Sequence, residues 1–287
     1  MKKALILAAG VGKRLGTLTK DIPKCLLPIG NCMLIDFSLD ALRDNNVKEI
    51  VFVTGYAFEK LEKHISEKWA DKFSINFIFN EQYSEYNNIY SAYLAKDLWD
   101  DETVLLNSDI IYHPSILKNL KSKIEDCKSY LVIDDKKQLT KESMKVKADQ
   151  KGEIKEINKN LDIKNSLGEY IGITYLRGFE RVKFIESLEK NVVGAYGRKP
   201  LLDLCYEDAL GCILNEVSVF PCSTEGKPWT EIDTKEDYEV AKSIVKEIKL
   251  SEGCSGEEYP ERHKGKGKIA FEPRFFRDKN ESDKYSI

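Results

Sequence analysis

Apolar residues run in short blocks through the first half of the chain, and the blocks alternate between two rhythms. Positions 4–9 are near-continuously apolar, as in a strand buried on both faces of a parallel sheet. Ile35, Leu39 and Leu42 recur at helical spacing and predict a helix over about 34–45. A strand at 50–54 closed by Gly55, a helix carrying Phe58, Leu61 and Ile65, and a strand at 75–79 follow. Next come a helical stretch at 89–98 and a strand at 103–106 that stops at Asn107-Ser108-Asp109. Strand and helix taking turns in this way predict an open, mostly parallel sheet covered by helices, an α/β three-layer architecture.

The second half is less regular. Strands are expected at 130–134, 144–149 and 153–158, the last two joined by a tight turn at Gln150-Lys151-Gly152, and another at 169–176. Helices are expected at about 180–190 and 199–209, with a strand at 213–219. A last helix begins after Asp233, where Thr234 and Asp237 have capping-box spacing and Ala241, Ile244, Val245 and Ile248 form the apolar stripe. Past residue 250 the composition turns to Ser, Gly, Glu, Lys and Pro. We therefore divide the chain into a domain over 1–250 and a charged tail over 251–287, flexible or docked through Ile269, Phe271, Phe275 and Phe276.

Bulk properties remove several classes of function. The 287 residues suffice for a large core, and a net charge of −3 gives no global field toward nucleic acid or membrane. No apolar run approaches a membrane span, and the six apolar residues after Met1-Lys2-Lys3 run into a glycine loop rather than a cleavage site. Seven cysteines without a C-x-x-C pair read as reduced thiols, and three scattered histidines offer no metal spacing. A cytoplasmic protein is expected.

Chemistry concentrates where the first strand ends. Leu7-Ala8-Ala9-Gly10-Val11-Gly12-Lys13-Arg14-Leu15 leads on to Pro23-Lys24-Cys25-Leu26-Leu27-Pro28. Open α/β sheets bind ligands at this edge, glycines let backbone N–H groups curl around phosphate oxygens, and Lys13, Arg14 and Lys24 supply charge for a triphosphate. A P-loop fails on the spacing of Gly16, and a dinucleotide fingerprint fails because Leu15 stands where a third glycine belongs.

The segment resembles the opening of the nucleotidyltransferases that make nucleotide sugars and related CDP-alcohols, L-A-A-G-x-G-x-R-L…P-K. That resemblance implies a Rossmann-like nucleotidyltransferase fold with a mostly parallel, mixed central sheet. It implies that Ala8, Ala9, Gly10 and Gly12, with the adjoining Leu7 and Lys13, wrap the nucleotide, and that Arg14 and Lys24 bind its phosphates. The usual Arg-Pro after R-L is replaced by Gly16-Thr17. Asp109, ending a strand on the same sheet edge, and Asp233, in Trp229-Thr230-Glu231-Ile232-Asp233, stand where the family places its Mg²⁺ ligands; on their own residues they read equally as a turn residue and a helix cap. No Ser-His-Asp or Cys-His set is evident, and none is required, because a phosphate monoester is already largely dianionic near pH 7.

Tyr86-Asn87-Asn88-Ile89-Tyr90-Ser91 replaces the glycine-rich base-reading segment of the sugar branch and is similar to that of the phosphocholine and 2-aminoethylphosphonate cytidylyltransferases. We therefore expect Tyr86, Asn87, Asn88 and Ser91 to face CTP, with helix capping as the plainer role. Lys159 and Gly168-Glu169-Tyr170-Ile171-Gly172-Ile173 also match that branch, which implies an acceptor site of Lys159, Glu169 and Tyr170, with Lys145 and Glu231 nearby. No aromatic residue occurs in 140–160, where a choline cage would be sought. The expected reaction is CMP transfer from CTP to a small phosphorylated or phosphonate metabolite, with Mg²⁺ as cofactor, in cell-surface polysaccharide or phosphonate synthesis. No nucleic-acid or membrane partner is expected, and a homodimer is open. A sugar-1-phosphate enzyme using UTP, dTTP or GTP and a regulatory subunit without turnover are the rival readings.

Overall fold

The computed structural model describes residues 1–195 and 204–251. Its centre is β1 (Lys3–Ala8), whose five residues after Lys3 are all buried. Apolar side chains on both faces suit a strand in the middle of a parallel sheet. A hairpin of β2 (Pro28–Ile29) and β3 (Cys32–Met33) leads to α1 (Leu34–Asp44), which buries Ile35, Leu39 and Leu42. Then come β4 (Glu49–Thr54), α2 (Phe58–Trp69), β5 (Ser74–Phe79), α3 (Asn88–Leu94), β6 (Thr103–Asn107), β7 (Ile110–Tyr112) and α4 (Pro114–Lys123). The remainder is β8 (Ser129–Asp134), β9 (Lys145–Ala148), β10 (Ile154–Asn158), β11 (Gly168–Tyr175), α5 (Gly178–Ala195), α6 (Tyr206–Gly211), β12 (Val219–Ser223), β13 (Trp229–Glu231) and α7 (Lys235–Ser251).

Among the described residues the main sheet has nine strands, with β10-β9-β11-β6-β1-β4-β5 in order and β8 and β12 branching from β11. The β6-β1-β4-β5 half is parallel, whereas β11 runs antiparallel to β6, β8 and β9. Alternate residues of β1 feed two cores: Ala4, Ile6 and Ala8 pack with α1, α2 and α4, while Leu5 and Leu7 pack with α3 and α5. The sheet is thus the middle of three layers.

Asp36 ties α1 to α2. Its side chain accepts from the Met33 backbone N–H at 2.8 Å, from Trp69 Nε1 at 2.8 Å and from Lys68 Nζ at 2.7 Å, and lies 2.8 Å from His64 Nε2. Burial alone would raise the pKa of this carboxyl, but these hydrogen bonds outweigh it and hold the value at about 2.

The expected strand at 213–219 is not formed. Ile213 and Leu214 are buried in the turn after α6, where the Ile213 N–H donates to Leu210 O and the Glu216 N–H to Ile213 O. The strand begins instead at Val219 and runs through Pro221, tolerated because β12 pairs on one side only, with β8. The start of the expected 199–209 helix, and the tail beyond 251, lie outside the described residues. The capping box before α7 is present: Asp237 Oδ2 accepts from the Thr234 N–H at 2.8 Å, and Thr234 Oγ1 accepts from the Asp237 N–H at 3.2 Å. No described helix is long and apolar enough to cross a membrane.

Candidate active site

At the C-terminal edge of β1 and β6 lies a cavity of about 480 Å³. Leu7, Ala8, Ala9, Gly10 and Gly12 form one wall of it. Gly12 sits at φ +67°, and a Cβ there would lie 3.2 Å from Lys24 Cβ, so the loop can pass this close to Lys24 only with glycine. Its carbonyl accepts from the Leu15 N–H at 3.0 Å and from Thr19 Oγ1 at 2.9 Å, and Leu15 is wholly buried against residues of α7. Lys13 and Arg14 therefore project from a loop pinned at its base, and both border the cavity.

A two-strand ribbon sets the opposite wall. β7 pairs with β13, Glu231 facing Ile110, and the Ile232 N–H donates to Asp109 O at 2.9 Å. The turn after β6 and the turn before α7 are thereby held together, and Asp109, Glu231 and Asp233 bring carboxylate oxygens within 4.8 Å of one another. Lys24 Nζ bridges them, at 2.7 Å from Asp109 Oδ2 and 2.6 Å from Asp233 Oδ1, and Arg14 lies 2.8 Å from Asp233 Oδ2. Burial opposes the charge on Lys24, yet the two carboxylates outweigh it and raise the ammonium pKa. For Asp233, burial is likewise overcome, here by Lys24 and Arg14, and the pKa falls. Glu231 opens toward the cavity; desolvation by the walls and the charges of Asp109 and Asp233 push its pKa up. Asp109 Oδ1 is buried without a hydrogen-bond partner. Clustered oxygen donors with one orphaned atom suit a hard divalent cation.

The asparagine segment lies at the start of α3. Asn87 Oδ1 accepts from the Asn88 N–H at 2.7 Å, and its amide lies 3.3 Å from Cys205 Sγ. Asn88 Oδ1 accepts from the Tyr206 N–H at 3.0 Å, and buried Ser91 accepts from Asn80 Nδ2 at 3.0 Å. Both the capping role and a place on the cavity wall are thus realised for Asn87, while Tyr86 borders the cavity with its ring against Tyr90, centroids 5.1 Å apart.

On the far side, Lys159 follows β10 and Glu169 lies on β11; both line the cavity, Glu169 paired with Lys137 at 3.1 Å. Tyr170 contributes its ring only, because its hydroxyl is shared with Thr174 at 2.6 Å and Tyr206 at 2.8 Å. Lys145 is a correction. It does not line the cavity; its wholly buried ammonium donates to the carbonyls of Thr140, Lys141 and Ser143 at 3.0 to 3.3 Å, which uses all three of its protons to pin the preceding loop.

Lining residues that the sequence did not single out include Asn80, Asn107, Glu142, Cys205 and Glu207. Asn107 is reached through Gly172, at φ +84°, where a Cβ would stand 2.7 Å from Asn107 Nδ2. The Gly-Ile spacing after Tyr170 was the only signal for that approach. Glu207, on α6, is 6% exposed, and its Oε2 has no hydrogen-bond partner.

Residues 3–158 match the family described as Nucleotidyl transferase. The chain is 27% identical over 253 residues to the choline-phosphate cytidylyltransferase of Streptococcus pneumoniae, covering 85% of this chain and 98% of that protein. It is 26% identical over 257 residues to the CTP:phosphoglutamine cytidylyltransferase of Campylobacter jejuni, covering 83% and 98%. Among solved structures it is similar in fold to the inositol-1-phosphate CTP transferase from T. maritima, with a TM-score of 0.69 at 23% identity, covering 87% of this chain and 96% of that one.

Proposed function

This chain belongs to the nucleotidyl transferase family, and from that membership we propose that it transfers CMP from CTP to a small phosphorylated or phosphonate metabolite, releasing pyrophosphate. The observation that carries the reading is the convergence on one cavity of the glycine loop, the cations Lys13, Arg14 and Lys24, and the Asp109–Glu231–Asp233 cluster. The choice of CTP is supported by two relatives matched along nearly their whole length, both named for cytidylyl transfer. The Asn87–Asn88 pair adds to this, since amides complement the amino group and ring nitrogen of cytosine.

In this reading the backbone N–H groups of the loop, with Lys13 and Arg14, hold the β- and γ-phosphates. Lys24 stands between the carboxylates and the place of the transferred phosphate, where its charge neutralises the oxygens as pyrophosphate departs. Asp109 and Asp233, with Glu231 beside them, would hold Mg²⁺. When bound, Mg²⁺ screens charge on the nucleotide phosphates and on the departing pyrophosphate. Lys159 holds the acceptor's anionic end so that one of its oxygens attacks the α-phosphorus opposite the pyrophosphate bond. The new P–O bond forms as the α–β bridge breaks, and a dianionic acceptor needs no base. Thiols free among the described residues suit a reducing, cytoplasmic setting.

Pyrophosphate release measured across CTP, UTP, GTP, ATP and dTTP, with phosphate-monoester, phosphonate and sugar-1-phosphate acceptors, tests the proposal. Turnover is expected with CTP and a non-sugar acceptor; turnover confined to UTP and a sugar phosphate would refute it.

A further inference from the structure

The acceptor side of the cavity includes Glu142 and Met144, which end the loop between β8 and β9. That loop carries Asp135, Lys136, Lys137, Lys141 and Glu142, a composition that by itself favours water over packing. Its second half is nevertheless closed into a knot. The wholly buried Lys145 ammonium donates to the carbonyls of Thr140, Lys141 and Ser143 at 3.1, 3.3 and 3.0 Å. Ser143 Oγ, also buried, accepts from the Thr140 N–H at 3.1 Å. The Tyr170 N–H donates to the Met144 carbonyl at 2.7 Å, which fastens the knot to β11. Lys145 and Glu169 are opposite one another in the β9–β11 pairing. Cross-strand partners share a face of the sheet, so Lys145 starts on the side of Glu169 and turns back onto the loop instead of entering the cavity.

Burying an ammonium whose partners are carbonyls rather than carboxylates is costly, and it is tolerated here because each of its three protons is taken. An apolar side chain in its place would strand three carbonyls, and the charged loop would open toward water to solvate them. Resting on the nucleotidyl-transfer reading, we propose that Lys145 is a positioning residue for the acceptor. It touches neither substrate; it holds residues 140–144 against β11 so that Glu142 and Met144 complete the wall shared with Lys159, Glu169 and Tyr170. The nucleotide end of the cavity is built from the glycine loop after β1 and the start of α3, which share no described hydrogen bond with residues 140–145. Loss of Lys145 is therefore felt in the binding of one substrate and not of the other.

The experiment first measures pyrophosphate release with CTP and with UTP against phosphocholine, 2-aminoethylphosphonate and glucose 1-phosphate, and carries the fastest pair forward. Wild type is then compared with Lys145→Met, Lys145→Arg and Ser143→Ala. Lys145→Met is expected to raise the acceptor KM by at least about tenfold while the nucleotide KM stays within about twofold. Lys145→Arg, which again offers N–H groups to the carbonyls, should recover part of that loss. Ser143→Ala keeps the ammonium and removes only the acceptor of the Thr140 N–H, so a rise of about threefold in acceptor KM is expected. A merely structural lysine would lower Tm and kcat with both KM values unmoved; that result, or equal rises in both KM values, overturns the inference. Should Lys145→Met not fold, Ser143→Ala decides, an unmoved acceptor KM counting against the proposal. Turnover with CTP but without the split between the two KM values sinks the Lys145 inference and leaves cytidylyl transfer standing. The split seen only with UTP and glucose 1-phosphate does the reverse, and no turnover with any pair overturns both.

Discussion

Glu207→Gln should make the free protein more stable, and only where the carboxyl would be ionised. Burial shifts this carboxyl from its ordinary 4.5 to about 7. The folded state therefore holds a proton that the unfolded chain releases between those values, and stability falls as pH rises through that window. Below pH 4.5 both states are protonated and nothing is lost. Above pH 7 the whole shift is felt, about 2.5 units at 1.36 kcal/mol each, or roughly 3 kcal/mol. A neutral amide of the same shape avoids that term. We expect the variant to gain about 2–3 kcal/mol at pH 8, a rise of roughly 5–10 °C in Tm for a domain of this size, and almost nothing at pH 4.5. Thermal melts of both proteins at the two pH values measure the difference. Equal shifts at both, or a lower Tm for the variant at pH 8, would show that the hydrogen bonds Glu207 receives outweigh its burial.

Other outcomes follow from the same structure. Asp109→Asn and Asp233→Asn should each cut pyrophosphate release by about a thousandfold or more, and each should also lower Tm, because it takes an ion-pair partner from the buried Lys24; a variant keeping a tenth of the activity would remove that carboxylate from the mechanism. Gly12→Ala forces a side chain onto a left-handed backbone against Lys24; about 1–2 kcal/mol of strain and at least tenfold lower turnover are expected, read by denaturant unfolding and the same assay. Asp36 is held at about 2, so its stabilisation is present above the ordinary carboxyl range near 4 and is lost as pH falls through 2. Asp36→Asn should therefore cost about 2 kcal/mol at pH 7, with the gap to wild type closing by pH 2 in urea titrations.

What could be read in advance depended on how far each signal travels along the chain. The β1 strand and its glycine loop announce themselves locally, because apolar continuity, two glycines and three cations fall within a few turns of sequence. The β7–β13 ribbon does not. Its strands span three residues each, too short for a period-2 pattern, although they bring Asp109 and Asp233 together. Lys145 carried the right charge beside the right strand, but only coordinates show an ammonium folded back on three carbonyls. Apolar residues at 213 and 214 suggested a strand because burial in a turn and burial in a sheet leave the same mark. Glu207 was out of reach for a different reason: nothing in the sequence around α6 marks a carboxylate buried at the cavity wall.

The ribbon also bears on when activity can arise. Residues 109 and 233 are neighbours only after the last stretch before α7 has returned to the turn behind β6, a long-range closure of the kind that forms late in folding. A nascent or proteolysed chain ending before residue 229 would still contain the sequence of the whole parallel half-sheet and its glycine loop, yet hold one carboxylate of the three. About the last tenth of the described chain thus acts as a completion check, and under the proposed mechanism a fragment without it would transfer no nucleotide.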